Sequence, residues 1–291
     1  MSGLNSHVII ETRSIVVSFI LFAILMGCNL AQMLSMVVRP FSLKIFRRIN
    51  REIANFWWAL CVIFSRKINK TEIIISGDTI PEKENAIVIL NHQEITDIPV
   101  LLDFALTKKR LGDLKWFVKD PIKYMPGVGW GMWFLDCLFI KRDWMKDKHS
   151  IRKVFQNLRQ HQVPLWVVSF VEGTRITPKK LKSSQEYAKN KGLAVLNHVL
   201  TPRTKGFVAT LEGLKGHVTA VYDLTFCYGK NIPTTWQWIR GDVKKVHLHA
   251  RRFLVKQLPQ SPETLSQWLL QRFVEKDYLI KTCITLDSFP A

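Results

Sequence analysis

The chain has 291 residues, of which 47 % are hydrophobic, and it carries 42 Lys and Arg against 23 Asp and Glu, a formal charge of +19. This apolar content is enough for one sizeable domain plus an appended segment, and it excludes wholesale disorder. The positive surplus predicts an anionic partner, and composition leaves nucleic acid, an anionic membrane surface and a phosphorylated substrate all open.

An uncharged apolar run lies near the start of the chain, between Ser14 and Val38. At about 1.5 Å per residue, a helix of this length would cover a hydrocarbon layer of roughly 30 Å. A signal peptide is the alternative, but its apolar region is usually only about 7 to 15 residues long, and no small-x-small cleavage site follows here. We therefore predict a retained membrane anchor.

The next stretch, about residues 41–64, mixes four cations with aromatic and aliphatic residues, including Trp57 and Trp58. This mixture favours a helix at the lipid headgroup boundary, with its positive charges on the cytoplasmic side. A helix packed on the main domain is the alternative. The sequence leaves open whether residues 1–65, the predicted anchor, make one span or a hairpin within one leaflet.

From residue 66 to residue 291 the pattern predicts an α/β domain, with a mostly parallel sheet flanked by helices. The predicted strands are Glu72–Ile75, Ala86–Leu90, Trp116–Val118, Cys137–Ile140, Pro164–Phe170 and Val218–Phe226. The predicted helices are Ile95–Leu106, His149–Gln160, Gly206–Leu214 and Pro262–Lys281. Five widely spread cysteines without a Cys-x-x-Cys pair are typical of buried thiols in a reducing compartment.

The first constellation of reactive residues follows the apolar strand that ends at Leu90, and it runs from Asn91 to Asp97. Reactive groups gather at the carboxyl ends of parallel strands. His92 is a candidate general base, and Asp97 a carboxylate that orients it. Residues five apart point away from each other on one regular helix, so the pair requires His92 in the loop and Asp97 in the first helical turn.

Three further constellations carry cations or turn residues after predicted elements. Glu172, Gly173, Thr174 and Arg175 follow a strand, and the guanidinium of Arg175 suits bidentate phosphate binding. Lys141 and Arg142 also follow a strand, and Pro202 stiffens a loop ahead of Gly206. A base at one strand end with cations at others predicts a substrate that has a reactive hydroxyl and a phosphate.

These four blocks, in this order, resemble the 1-acylglycerol-3-phosphate acyltransferase family, in the branch that includes lysophosphatidate and lysocardiolipin acyltransferases. The resemblance covers roughly Ala86 to Leu279. It is most specific in Val171–Thr177, Pro202–Phe207 and Ala220–Thr225. It implies an enzyme that transfers a fatty acyl group from an acyl thioester to the free hydroxyl of lysophosphatidic acid, forming phosphatidic acid.

The resemblance also implies residue roles. His92 and Asp97 correspond to the catalytic His-x4-Asp motif, with His92 as general base. The implied phosphate-binding residues are Lys141, Arg142, Gly173, Thr174 and Arg175, and the implied supporting residues are Asn91, Glu172 and Pro202. No cofactor is expected beyond the donor, which is acyl-CoA or an acyl carrier protein.

Several alternatives remain at this point. The acceptor could be another lysophospholipid such as lysocardiolipin, and a non-catalytic membrane scaffold that binds anionic lipid is a further reading. Nucleic acid is not expected, because no reading module is present. No metal site is expected either, since His247 and His249 alternate along a likely strand and are interpreted as surface or edge residues. The aromatic cluster Trp130–Phe134 is predicted to contact the acyl chain or lipid.

Overall fold

The structure is a computed structural model, and it describes residues 2–141 and 144–289. The strands of this described part are β1 Glu72–Gly77, β2 Ala86–Leu90, β3 Leu114–Lys119, β4 Leu138–Ile140, β5 Trp166–Ser169, β6 Ala220–Cys227 and β7 Lys245–Leu254. They form one sheet in the order β1-β7-β6-β2-β5-β3-β4. All neighbours are parallel except β6 and β7, so the predicted mostly parallel sheet is confirmed.

The α-helices of the described part precede, connect and follow these strands. They are α1 Ser2–Ser35, α2 Leu43–Ile63, α3 Asp97–Thr107, α4 Val128–Phe134, α5 Trp144–Gln160, α6 Pro178–Asn190, α7 Thr204–Gly213, α8 Thr235–Arg240 and α9 Pro262–Leu286. Side-chain caps explain several starts: Thr177 and Ser261 each accept a backbone N–H of the first turn, and proline follows each of them.

His247 and His249 are expected from the sequence to be surface or edge histidines. That expectation is wrong, because neither lies on an edge strand and His247 is buried. Both lie on β7, which is an interior strand because β1 covers one side of it and β6 the other. His247 is buried and His249 is half-buried.

Two apolar layers cover the two faces of the sheet. Strand β2 is buried along its whole length, and its alternate side chains divide between the layers. Ala86, Val88 and Leu90 belong to the layer formed with α2, α3, α4 and α8. Ile87 and Ile89 belong to the layer formed with α5, α7 and α9. We call the first the hairpin face, because α1 and α2 lie on it, and the second the distal face.

Helix α1 begins earlier than the predicted run of residues 14–38, and it includes the charged residues Glu11 and Arg13. Both are held by the main domain. The Glu11 carboxylate pairs with Arg240 at 2.7 Å, and Arg13 donates to the carbonyl of Arg240 at 2.7 Å. These contacts explain why the helix continues through charged residues that the apolar pattern excluded.

The other end of α1 is docked on the loop before α4. The side-chain oxygen of Asn29 accepts the backbone N–H of Gly127 at 2.8 Å. Gly127 has φ +84°, and a β-carbon there would lie 3.0 Å from the Leu25 side chain, so this close approach requires glycine. Helix α1 is therefore tied to the main domain near both of its ends.

Helix α2 packs on the main domain with one face, which includes the buried Trp58 and Val62. Its other faces expose Ile45 and Phe56. Two of its four cations bind carboxylates of the domain: Arg47 pairs with Asp136 at 2.8 Å and Arg51 with Asp113 at 3.0 Å. One face of the helix is thus packed on the domain, and the interfacial role stays a prediction for its exposed faces.

Within the described residues, one helical segment is long and apolar enough to cross a membrane, His7–Ser35, and only 22 % of its most apolar window is buried. Large exposed apolar side chains continue beyond it onto Phe41 and the loop at Tyr124 and Met125. Soluble proteins seldom expose so large a contiguous apolar surface, which indicates membrane association.

Candidate active site

The candidate site lies at the carboxyl edge of the sheet, where β2, β5 and β6 end. Strand β2 pairs with β5 on one side and with β6 on the other. The loop of residues 91–97 follows β2 and leads directly into α3, whose first residue is Asp97. The chain therefore folds back between His92 and Asp97, as the pairing of these residues requires.

His92 and Asp97 form a hydrogen-bonded pair. The imidazole Nδ1 lies 2.9 Å from Oδ2 of Asp97, whose side chain has no exposure, whereas the His92 side chain is 16 % exposed. With the carboxylate ionised, Nδ1 carries the proton and donates it, so Nε2 holds the free lone pair. This is the arrangement of a general base with an orienting carboxylate.

Asp97 has three further donors. The backbone N–H groups of Gln93 and Glu94 donate to Oδ2 at 2.7 and 3.1 Å, and the Tyr228 hydroxyl donates to Oδ1 at 2.8 Å. Burial raises the pKa of the Asp97 carboxyl, and the hydrogen bonds from His92 and Tyr228 oppose that rise. The donors stabilise a carboxylate in a place where water has no access.

The His92 ring is also held by stacking. Its centroid lies 3.8 Å from that of Phe170, with 24° between the planes, and Phe170 stacks in turn on Trp116 at 6.3 Å. Phe170 comes directly after β5, one strand away from β2. The stacked rings and the hydrogen bond to Asp97 together restrict rotation of the His92 imidazole.

Asn91 fixes the start of the loop to β6. Its amide nitrogen donates to the carbonyl of Phe226 at 3.0 Å, and its amide oxygen accepts the N–H of the same residue at 2.9 Å. Tyr228 lies two residues further along, so β6 holds the loop at Asn91 and, through Tyr228, at Asp97.

Glu172 holds the same loop from the opposite side. One carboxyl oxygen accepts the N–H of His92 and the other accepts the N–H of Leu200, both at 2.8 Å. Burial raises the pKa of Glu172 to about 8, although the two backbone donors favour the charged form. Its contacts are with backbone, so Glu172 joins the loop after β2 to the segment that leads to Pro202.

Gly173 takes part in a close approach. It has φ +75°, and a β-carbon there would lie 3.0 Å from Nε of Arg203. The N–H of Arg203 donates to the carbonyl of Val171 at 2.7 Å, which places the buried Pro202 beside the same turn. Three predicted blocks therefore meet at this edge: the loops after β2 and β5 and the segment before α7.

The predicted phosphate-binding residues of the turn after β5 have protein partners in the structure. The guanidinium of Arg175 forms an ion pair with Glu94. Thr174 accepts a hydrogen bond from Nζ of Lys180 at 2.7 Å, and that amine also donates to the carbonyl of Arg175 at 3.2 Å. Lys180 thus adds a cation that the motif did not indicate.

Lys141 is placed further away. It follows β4, which is three strands from β2 in the sheet order, a lateral separation of about 14 Å at about 4.8 Å per strand. Its side chain is exposed, and its N–H donates to Asp147 at 2.8 Å. Arg142 lies outside the described residues.

Sequence reasoning missed Tyr228, Lys180 and Glu94 as site residues. Tyr228 is far from the motif in the chain and follows a strand as a single aromatic residue, a pattern that many buried strand ends share. The aromatic cluster predicted to contact lipid forms α4, where Trp133 is 45 % exposed and Phe134 is buried.

Comparison with known proteins gives consistent matches. The acyltransferase family model matches residues 72–222, and the model of an acyltransferase C-terminus matches residues 237–291. A 1-acyl-sn-glycerol-3-phosphate acyltransferase 2 from Arabidopsis thaliana is 35 % identical, over 91 % of this chain and 70 % of its own length. The gamma enzyme of that name from Homo sapiens is 32 % identical, over 90 % of this chain and 71 % of its own length.

A solved structure shares the fold. The 1-acyl-sn-glycerophosphate acyltransferase PlsC from Thermotoga maritima aligns with a TM-score of 0.50 at 18 % sequence identity, covering 86 % of this chain and 94 % of that one.

Proposed function

This chain belongs to the 1-acyl-sn-glycerol-3-phosphate acyltransferase family, and on that premise we propose that it acylates the free hydroxyl of lysophosphatidic acid to form phosphatidic acid. The donor in this proposal is an acyl thioester. The observation that carries the proposal is the 2.9 Å contact between Nδ1 of His92 and the buried carboxylate of Asp97, which leaves Nε2 as a base.

The proposed reaction needs no covalent enzyme intermediate. Nε2 of His92 takes the proton of the acceptor hydroxyl while that oxygen attacks the thioester carbonyl. The tetrahedral intermediate then expels the thiolate, and the imidazolium returns the proton to sulfur, which releases a free thiol. Asp97 stabilises the imidazolium between these steps, and Tyr228 positions Asp97 through the 2.8 Å hydrogen bond.

The acceptor phosphate is proposed to bind at the turn after β5. Arg175, Thr174 and Lys180 lie there together, and phosphate oxygens would replace Glu94 on the guanidinium of Arg175. Gly173 keeps the turn close to the loop of His92. Lys141 lies about three strand spacings from β2, so in this proposal its role is at the outer end of the substrate.

We propose that the hairpin of α1 and α2 lies within one leaflet, with the active site on the cytoplasmic face. Helix α1 contacts the main domain at Glu11 and again at Asn29, positions about 27 Å apart along the helix. A helix tied at both points to a domain on one side of the bilayer cannot cross that bilayer upright. Cysteines introduced at the exposed polar residues His7 and Lys44 should therefore react with a membrane-impermeant maleimide from the same side of sealed vesicles, whereas a spanning helix would separate them.

The reaction is tested with protein in nanodiscs, lysophosphatidic acid and labelled acyl-CoA, beside His92→Ala and Asp97→Asn. Labelled phosphatidic acid from the wild type alone supports the proposal. Parallel reactions use acyl carrier protein as donor and lysocardiolipin as acceptor. Folded protein that acylates none of these acceptors would overturn the proposal in favour of a lipid-binding scaffold.

A further inference from the structure

A groove of about 910 Å³ lies between α5 and α7 on the distal face of the sheet, away from the candidate active site. This volume is within the range of small-molecule sites in proteins, roughly 300 to 1,000 Å³. Two helices that run in the same direction supply its side chains. Helix α5 leads from the end of β4 down to the start of β5, and α7 leads down to the start of β6.

The groove is strongly basic. Four cations line it against one carboxylate, that of Glu212; the cations are Arg152, Arg159, Lys205 and Lys215. Arg152, Lys205 and Lys215 are exposed to solvent, so their charges are available to an incoming ligand. A concave surface with this excess of one sign concentrates anions.

The floor and sides of the groove have a different chemistry from its charged rim. Phe155 and Val208 contribute buried apolar surface, and three glutamines add amide groups that both donate and accept hydrogen bonds; these are Gln156, Gln160 and Gln162. An apolar floor suits a flat ring, amides suit the edge of a base, and cations suit phosphates. Together these are the features of a site for a nucleoside polyphosphate.

The end of the groove at Lys205 is the end nearer to the candidate active site. Lys205 is the second residue of α7 and lies two residues after Arg203, whose side chain lies across Gly173. Helix α7 has 10 residues and is about 15 Å long, so the far end at Lys215 lies about that distance below. A ligand with an extended arm would have its anionic end in the groove and its reactive end near His92.

We propose that the groove binds the nucleotide end of acyl-CoA, with the pantetheine arm rising along α7 to the active site. This inference rests on the proposed function and names the donor for it. It also explains the two-sided shape of the molecule: the lipid acceptor arrives from the hairpin face, and the water-soluble donor arrives from the distal face. An acyl carrier protein is the competing donor, but its folded surface would not enter a groove of ligand size.

The test uses two reversals at exposed positions, Arg152→Glu and Lys215→Glu, combined in one variant. The matched control is Lys189→Glu with Lys191→Glu, which changes the net charge equally at exposed positions outside the groove. The KM for acyl-CoA, the KM for lysophosphatidic acid and the Kd of free CoA are measured in nanodiscs. Free CoA is also titrated into His92→Ala protein, which separates binding from turnover.

The groove variant should raise the KM for acyl-CoA and the Kd of CoA at least ~10-fold, because charge-assisted contacts to phosphate are lost. The groove variant should keep a KM for lysophosphatidic acid within about twofold of the wild-type value. The control variant should keep both KM values and the Kd of CoA within about twofold of wild type. The Kd of dephospho-CoA should rise less than the Kd of CoA in the groove variant, because dephospho-CoA has fewer phosphates for the groove to bind.

Equal effects in the two variants would overturn the proposal, since they would reflect only long-range charge. So would wild-type protein that binds no CoA, or a groove variant that loses activity with acyl carrier protein alone. The result also distinguishes this inference from the proposed function. Protein that binds CoA in the groove but acylates no lysophospholipid would retain the site and reject the reaction.

Discussion

The two faces of the sheet differ in what they present beyond their apolar layers. The hairpin face ends in exposed side chains such as Phe19 and Phe41, which water solvates poorly. The distal face ends in charged and amide side chains on α5, α6 and α7. Both layers beneath consist of buried hydrophobic side chains, so the difference lies in the outermost side chains. In the proposed arrangement, the sheet therefore separates a lipid side from an aqueous side, with the His92 loop at the edge between them.

The largest effect is expected at that shared edge. Asp97→Asn should lower kcat by ~10² to 10⁴-fold, because the amide cannot stabilise the imidazolium of His92. Binding to vesicles and to CoA should be unchanged, since neither face is altered. Steady-state kinetics and vesicle sedimentation measure the two properties. If Asp97→Asn kept the wild-type kcat, Asp97 would have no part in the proposed reaction.

The next effect concerns the hairpin face. Phe19→Ser with Phe41→Ser should weaken binding to phospholipid vesicles by ~10- to 100-fold. Each phenyl group that is about half inserted into the bilayer contributes about half of the roughly 1.5 to 3 kcal/mol of full burial. The control is Tyr187→Ser with Tyr278→Ser, two exposed aromatic residues on α6 and α9. Sedimentation with liposomes measures both variants. Equal losses would mean that the two faces do not differ as described.

Tyr228→Phe should lower kcat by about tenfold. Loss of the hydroxyl donor leaves Oδ1 of the buried Asp97 carboxylate without its hydrogen bond, so Asp97 holds the His92 ring less firmly. The control is Tyr222→Phe on β6, the strand that precedes Tyr228, since the Tyr222 hydroxyl donates to Glu84 and not to Asp97. A purely structural role for Tyr228 would instead lower the melting temperature of Tyr228→Phe and leave its kcat equal to that of Tyr222→Phe.

A smaller change is expected for Trp133→Ala. Trp133 is 45 % exposed on α4, beside the end of α1. If it contacts the acyl chain or lipid, the variant should shift the preference among donors of different chain length by a few-fold while kcat for the best donor is retained. Competition between two labelled acyl-CoA species measures this. An unchanged chain-length profile would count against the contact.

The smallest effect concerns stability. The folded state raises the pKa of Glu172 from 4.5 to about 8, so the fold favours the protonated carboxyl. This contribution is complete below pH 4.5 and is lost as the pH rises through about 8. The melting temperature of the wild type should therefore fall more between these values than that of Glu172→Gln, which has no titrating group. If the melting temperatures of the two proteins changed equally with pH, the raised pKa of Glu172 would be contradicted.

The sequence allowed good prediction where the physical cause is local. Strand β2 is a continuous apolar run because it is buried on both faces, and its predicted bounds are those in the structure. The loop between His92 and Asp97 was also predictable, since only a chain that folds back brings these two together.

Other features depend on contacts between distant parts of the chain. Helix α6 has few apolar residues to mark its period, because most of it faces water. The start of α1 was placed too late because Glu11 and Arg13 are satisfied by Arg240, more than 200 residues away. Likewise nothing near Arg175 indicates that Glu94 would occupy its guanidinium. Such pairings become visible only when the sheet order is known.

The amide of Asn91 has a consequence for repeated turnover. During each cycle the charge on His92 would appear and disappear, and the electrostatic pull on Asp97 would change with it. The two bonds between Asn91 and Phe226 involve no ionisable group, so their strength does not follow that cycle. One end of the loop thus has an attachment that does not depend on charge, and in the proposed reaction this attachment would return the imidazole to the same position before the next acceptor arrives.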